Sequence, residues 1–95
     1  MFTIWKYVIE PCMNIQIFDM PIGAVILSFG ADAAGKMCFW AQVDPSAALE
    51  RRQVICIGTG WPLEELDEGK YGIFIGTAID GPCVWHLYDL GAEVD

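Results

Sequence analysis

Residues 71–90 read YGIFIGTAIDGPCVWHLYDL, and their pattern indicates the fold class. Two apolar runs, Tyr71–Ile79 and Cys83–Leu90, are rich in the branched and aromatic side chains that β-strands favour. Between them, Asp80-Gly81-Pro82 combines three turn-forming residues at the short spacing of a tight hairpin. The stretch therefore predicts two consecutive antiparallel strands, the sixth and seventh of the chain.

Five further strands are predicted on the amino-terminal side. Each is a short run of alternating or continuous apolar residues, and each run is followed by turn-forming residues. These strands are Phe2–Ile9, Asn14–Phe18, Gly23–Phe29, Met37–Val43 and Arg52–Ile57.

Helix is scarce in the sequence pattern. One turn is predicted at residues 46–50, where Ser46 is suited to the N-cap, and another at 62–66, where Pro62 would occupy the first helical position. Seven short strands with regular turns predict one compact domain over residues 1–95. The expected fold is mainly β, a small antiparallel sandwich or barrel of about seven strands with one or two short helical turns.

The composition excludes several classes of protein. Of the 95 residues, 55% are hydrophobic and only 19% are charged, the reverse of a disordered segment. Thirteen acidic and five basic residues give a net charge of −8. This charge argues against a general nucleic-acid binder, because such proteins need cations to displace phosphate counterions. The most apolar segment, Met20–Phe29, is interrupted by Pro21 and Gly23 and is too short for a membrane span; no secretory signal is expected either.

The apolar side chains outnumber what a domain of this size can bury. In the predicted sixth strand, Ile73 and Ile75 lie on one side while Phe74 and Ala78 lie on the other. A strand with one solvated face would show polar residues there. A second layer or a second subunit is therefore expected on the outer face. We predict a homo-oligomer, for which a twofold dimer is the commonest form.

The four cysteines, Cys12, Cys38, Cys56 and Cys83, show no C-x-x-C spacing. Zinc-ribbon and thioredoxin-type sites are therefore not expected, and a single histidine adds no metal-ligand pattern. All but Cys12 lie in apolar, strand-like runs. Buried free thiols in a reducing cytoplasm are predicted in preference to two disulfides, and no metal or cofactor is expected.

A predicted ligand site surrounds the segment Gly58-Thr59-Gly60-Trp61-Pro62. Glycines let backbone amides approach a phosphate, and a helix that starts at Pro62 would direct further amides to the same point. An arginine fork could bind a phosphate, and tryptophan could stack on a base. The alternative is a structural loop in which Trp61 closes the end of the core. The predicted ligand-binding residues are Arg51, Arg52, Thr59, Trp61 and Trp40.

Two other features each have a structural and a functional interpretation. His86, in an apolar strand, is either a core or interface imidazole bonded to a neighbour or a catalytic base beside Cys38 or Cys56. The first interpretation is favoured, and no enzyme is expected. The acidic run at residues 64–68 is either a solvated face or a negative patch that engages a basic partner. Its carboxylates are Glu64, Glu65, Asp67 and Glu68.

Several spaced motifs carry a resemblance to a known group of proteins. They are Thr3–Tyr7, Met20–Ser28, Trp40–Pro45, Gly58–Pro62 and Val84–His86. Together they resemble a family of short phage and prophage proteins, a domain of unknown function, over nearly the whole chain. The resemblance brings no catalytic residues. It implies a viral accessory protein that acts in the cytoplasm of an infected bacterium, and small phage proteins of that kind often counter host defence.

These observations predict a phage-type accessory, anti-defence protein that sequesters a small anionic ligand, such as a nucleotide immune signal, without turnover. The alternatives are an acidic inhibitor that blocks a basic host defence protein, and a virion or assembly component. Besides a second copy of the chain, the expected partners are the small ligand or the host protein. Neither nucleic acid nor membrane is expected among them.

Overall fold

The computed structural model describes residues 1–11, 14–62 and 72–93, which form seven β-strands. Each strand contains the branched or aromatic side chains that favour extended backbone. Within the described ranges there is no helix, and the predicted mainly β, antiparallel class is confirmed. The strands are β1 Thr3–Val8, β2 Gln16–Pro21, β3 Val25–Ala31, β4 Met37–Val43, β5 Leu49–Gly58, β6 Ile73–Asp80 and β7 Cys83–Ala92.

The strands form two antiparallel sheets that face each other as a small sandwich. One sheet has three strands in the order β1-β4-β3, and the other has four in the order β2-β5-β7-β6. Aromatic contacts join the two sheets at one side. The ring of Tyr7 in β1 stacks on Phe39 in β4, with centroids 5.1 Å apart, and meets Phe18 in β2 edge-on at 5.8 Å. Contacts between β3 and β6 join the sheets at the other side.

The core lies between the sheets and follows the alternation of side chains along β4. Met37, Phe39, Ala41 and Val43 are all buried there, because every second residue of a strand points to the same face. Truncating a fully buried ring such as that of Phe39 costs about 3–5 kcal/mol in comparable cores. The four-stranded sheet contributes Met20, Val54, Cys56, Ala78 and Leu87 to the same cluster.

The hairpin predicted at Asp80-Gly81-Pro82 is present. Asp80 of β6 pairs with Cys83 of β7, so the loop consists of Gly81 and Pro82 alone. Gly81 has a φ of 58°. The first loop residue of a type II′ turn needs such a positive value, which glycine adopts without steric strain.

A turn replaces the helix predicted at residues 46–50. The carboxylate Oδ1 of Asp44 accepts hydrogen bonds from the backbone N–H of Ser46 at 3.0 Å and from its hydroxyl at 2.7 Å. The N–H of Ala47 donates to the carbonyl oxygen of Asp44 at 3.0 Å. Asp44 thus closes the turn, and the chain enters β5 at Leu49, three residues before the predicted start of that strand. The second predicted helical turn, apart from Pro62, lies outside the described residues.

The cysteines occupy different environments. Cys38 and Cys56 are buried, as predicted. Cys83 is exposed instead, because it is the first residue after the two-residue hairpin loop. Burial raises the pKa of the Cys38 thiol and so keeps it protonated. Cys12 lies outside the described residues.

No helix in the described ranges is long and apolar enough to cross a membrane.

The outward-facing apolar side chains are unevenly covered. Ile55 and Ile57 of β5 point away from the main core but are buried, and Tyr88 and Leu90 of β7 pack against them. In contrast, Ile79 near the end of β6 is 73% exposed. The homo-oligomer that such apolar faces suggest stays a prediction.

Candidate functional site

A turn after β5 positions the predicted loop residues. The N–H of Trp61 donates to the carbonyl oxygen of Gly58 at 3.1 Å, and Gly60 has a φ of 87°. A positive φ at the third of four turn residues is what a type II turn requires, and glycine supplies it without strain. The turn folds Trp61 back towards the end of the strand.

Gly58 provides the surface on which the indole of Trp61 lies. A Cβ atom at residue 58 would be only 2.8 Å from Cε2 of Trp61, so any other residue there would force the indole to move. The indole also meets Trp85 of β7 edge-on, with ring centroids 5.1 Å apart, in an arrangement that aromatic pairs prefer. Trp61 nevertheless remains 37% exposed. Its ring is therefore held by these contacts and remains partly accessible.

His86 is held by two threonine hydroxyls on the outer face of the four-stranded sheet. Its Nε2 lies 2.7 Å from Oγ1 of Thr59, and its Nδ1 lies 2.9 Å from Oγ1 of Thr77. One nitrogen of a neutral imidazole donates and the other accepts, so the two hydroxyls satisfy both and fix the ring. An imidazole bonded to its neighbours was the favoured interpretation. The cysteine alternative finds no support, since Cys38 belongs to the other sheet and Cys56 faces the core.

Two clefts meet at Trp61. The larger, of about 420 Å³, extends from Thr59 and Trp61 to Trp85 at the beginning of β7. The smaller, of about 260 Å³, lies between Trp61, His86 and Tyr88 and also includes Thr59. Aromatic walls with a few polar groups are the usual composition of a small-molecule site.

The structure does not bring the two predicted arginines to these clefts. Arg52 is buried, with Nη2 2.8 Å from Oδ2 of Asp89 and Nη1 donating to the carbonyl oxygen of Ala24 at 2.9 Å. Arg51 is exposed, and its Nε lies 3.3 Å from Oε2 of Glu93. Adjacent strand residues point to opposite faces, and both arginines lie about 20 Å along β5 from the turn that carries Trp61.

Trp40 lies on the other sheet. Its neighbours in β4, Phe39 and Ala41, face the core, so Trp40 points to the outer surface of the three-stranded sheet. There its indole approaches Gly30 of β3, where a Cβ atom would be 3.9 Å from the ring. Of the five predicted ligand-binding residues, the structure places Thr59 and Trp61 together.

Among the described residues, the clefts lack the cationic side chains that an anion site needs. In the part of the chain that the structure describes, no lysine or arginine lines either cleft. Two loop amides are also engaged, because the N–H of Thr59 donates to Val84 at 3.1 Å and that of Trp61 donates within the turn. Residues 1–11, 14–62 and 72–93 contain no cluster of three or more metal-binding side chains. The acidic residues predicted as a partner surface lie outside the described residues: Glu64, Glu65, Asp67 and Glu68.

Sequence reasoning missed Trp85, His86 and Tyr88 as members of the site. The pairing of β5 with β7 places them there, because it aligns Gly58 with Trp85 and Ile57 with His86. This pairing joins strands that are distant in the chain, and no local pattern encodes it. The hairpin before β7 was the best indication in the sequence of these site residues. The position of its turn determines which side chains of β7 share a face.

Comparison with known protein families covers nearly the whole chain. A family model described as "Domain of unknown function (DUF7352)" matches residues 1–94. No curated protein and no solved structure matches the chain. The description of the family supplies no activity, so the function has to be argued from the clefts beside Trp61.

Proposed function

We propose that this chain, which belongs to the DUF7352 family of domains of unknown function, is a non-catalytic binding protein. Its ligand carries a planar, nucleotide-type heterocycle that lies against Trp61. The observation that carries this proposal is a partly exposed indole that contacts Gly58 and Trp85 and lines two clefts. Stacking of a base on such a ring contributes about 1–3 kcal/mol.

The hydroxyl of Thr59 supplies the polar contact beside the indole. A threonine hydroxyl offers one donor and two acceptor positions, and the bond to Nε2 of His86 uses one of them. Because Thr77 holds the other nitrogen, the imidazole cannot turn away. His86 is therefore a positioning residue that directs the remaining hydrogen-bonding positions of the Thr59 hydroxyl into the cleft.

The same geometry supports binding without turnover. A hydroxyl 2.7 Å from an imidazole is also the arrangement of a nucleophile with its base. In hydrolases of that type, however, a carboxylate at Nδ1 stabilises the imidazolium that forms during the reaction. Here Nδ1 faces the neutral hydroxyl of Thr77, which gives an imidazolium much less support.

A nucleotide-derived immune signal is the ligand class we propose, within a phage-type anti-defence protein in the cytoplasm of an infected bacterium. The resemblance to phage and prophage proteins supports this setting. Since Arg51 and Arg52 point elsewhere, the proposed recognition depends on the base and not on the phosphate.

The proposal is tested with three groups of probes: the common ribonucleosides, their 5′-monophosphates, and ribose 5-phosphate. The readouts are the indole N–H resonance of Trp61 and the melting temperature. We expect at least one nucleoside and its monophosphate to shift both, and ribose 5-phosphate to shift neither. Trp61→Leu should abolish the response. Trp5→Leu is the matched control, because Trp5 is 38% exposed and lies in the other sheet.

Two outcomes would contradict base recognition. A response to ribose 5-phosphate without a response to any nucleoside would indicate a phosphate site. An indole resonance of Trp61 that stays unchanged with every probe would remove the proposal and leave the acidic-inhibitor and virion alternatives, which make no use of this ring.

A further inference from the structure

In the described part of the chain, four strands form the edges of the two sheets, and three of them carry features that resist pairing with another chain. β3 has a bulge between Ile26 and Ser28, and β6 has one between Phe74 and Gly76. β2 ends in Pro21. Bulges and prolines are common means by which edge strands avoid unwanted partners. β1 has neither, and it pairs with β4 in continuous register over its whole length.

β1 also exposes large apolar side chains along this unprotected edge. Phe2, just before the strand, is 65% exposed, and Ile4 and Val8 are 57% and 46% exposed. Beside the first half of the strand lies a groove of about 430 Å³, lined by Phe2, Thr3, Ile4 and Gln42. One edge of the molecule thus offers both projecting apolar groups and an open groove.

The charge pattern of this edge favours a second copy of the chain as its occupant. Thr3–Val8 contains no acidic residue, although the chain has a net charge of −8. The single charge of the strand, the ammonium of Lys6, lies 2.9 Å from Oδ2 of Asp32 in the same chain. A partner of opposite charge would gain little from such a neutral strand. Two copies of this acidic chain, which repel each other elsewhere, meet the least repulsion there.

We propose that β1 is the interface of a homodimer in which two copies pair their β1 strands antiparallel about a twofold axis. The unpaired backbone groups of an edge strand are satisfied by another strand. The two three-stranded sheets would then join into one sheet in the order β3-β4-β1-β1-β4-β3. Antiparallel pairing about this axis places the exposed side chains of one β1, Ile4 and Val8 among them, beside those of the other, and symmetry repeats each contact.

Sedimentation velocity over a wide dilution series tests the dimer. We expect the unmodified chain to sediment as a dimer that dissociates on dilution. Ile4→Glu should give the monomer mass at every concentration, because it places two carboxylates at the interface. Ile79→Glu on β6 is the matched control, since it adds the same charge at an exposed isoleucine of another edge and should leave the dimer intact. Far-UV circular dichroism verifies that both variants are folded.

Hydrogen exchange of the unmodified chain gives a second measurement that needs no variant. Amides of β1 should exchange faster as the protein is diluted, whereas those of β6 should not change. A monomer at all concentrations would overturn the proposal. So would a dimer that Ile79→Glu dissociates and Ile4→Glu does not, because the interface would then lie on the other sheet.

Discussion

Nη2 of Arg52 lies 2.8 Å from Oδ2 of Asp89, and both side chains are buried. This ion pair joins β5 to β7 inside the domain. The adjacent Arg51 pairs with Glu93 at the surface. Two neighbouring arginines therefore have different structural roles, one in the interior and one in solvent, as the alternation of side chains along a strand requires.

The two arginines should differ in their contribution to stability. Arg52→Ala leaves the carboxylate of Asp89 buried without its partner, and we expect the free energy of unfolding to fall by about 3–5 kcal/mol. Arg51→Ala, the matched control, should cost less than about 1 kcal/mol, because an exposed pair contributes little. Urea unfolding measures both. Equal losses would mean that the burial of Arg52 is wrongly assigned.

Tyr7→Phe should not destabilise the protein. The hydroxyl of Tyr7 is buried and finds no hydrogen-bond partner among the described residues. Burial raises the pKa of Tyr7, while the positive charge of Arg52 opposes this shift. Removing an unsatisfied buried hydroxyl should leave the free energy of unfolding unchanged or raise it by up to about 1 kcal/mol.

Tyr7→Ala is the control for that measurement, because it also removes the ring that stacks on Phe39. Its free energy of unfolding should fall by about 3 kcal/mol or more. A loss from Tyr7→Phe that approaches the loss from Tyr7→Ala would show that the hydroxyl is bonded after all.

Asp32 should make stability depend on acidic pH. Hydrogen bonds from Lys6 and from the backbone N–H groups of Lys36 and Ala34 lower the pKa of Asp32. A carboxyl whose pKa is lower in the folded state stabilises the fold at any pH above its pKa in the unfolded state. This stabilisation is lost as the pH falls through its pKa in the folded state. In melting curves from neutral to strongly acidic pH, the advantage of the unmodified chain over Asp32→Asn should be largest at neutral pH and vanish in acid. A constant difference would contradict this.

Much of the fold was predictable because it depends on local pattern. Met37–Val43 was predicted with its observed bounds, since its polar and apolar residues and the following Asp44-Pro45 mark a complete strand. The early start of β5 was not predicted. Charged residues follow Leu49 at the start of that strand, and only the cross-strand pairing of Arg51 with Asp19 of β2 shows why they are extended. Which strands pair is a matter of long-range packing, which one sequence does not encode locally.

The site was predictable only within one loop. Thr59 and Trp61 lie together because they are two residues apart in a tight turn. Arg51 and Arg52 were grouped with them by closeness in sequence, although strand alternation alone implies that two adjacent residues cannot face one pocket. Their predicted binding roles, like the assignment of His86 to the site, stay predictions.

The thiols should differ in their reactivity. Cys83 is exposed and lines the larger cleft, whereas the buried Cys38 has a raised pKa because burial disfavours its thiolate. We expect iodoacetamide to modify Cys83 in the folded protein and Cys38 only after unfolding. Peptide mass mapping distinguishes the sites. A nucleoside that binds beside Trp61 should slow the reaction at Cys83, and faster labelling of Cys38 would contradict the assigned burial.

Gly58→Ala tests whether the position of Trp61 determines binding. The added methyl group would lie 2.8 Å from the indole, so the ring must leave the end of β5 and its contact with Trp85. We expect the fold to persist, the indole resonance of Trp61 to move, and nucleoside affinity to fall by tenfold or more, about 1.4 kcal/mol. Gly76→Ala is the matched control, because it is also a strand glycine and its added methyl would meet its nearest neighbour, Phe29, at 3.9 Å. If the two variants bind nucleosides equally well, the indole is not the platform on which the ligand rests.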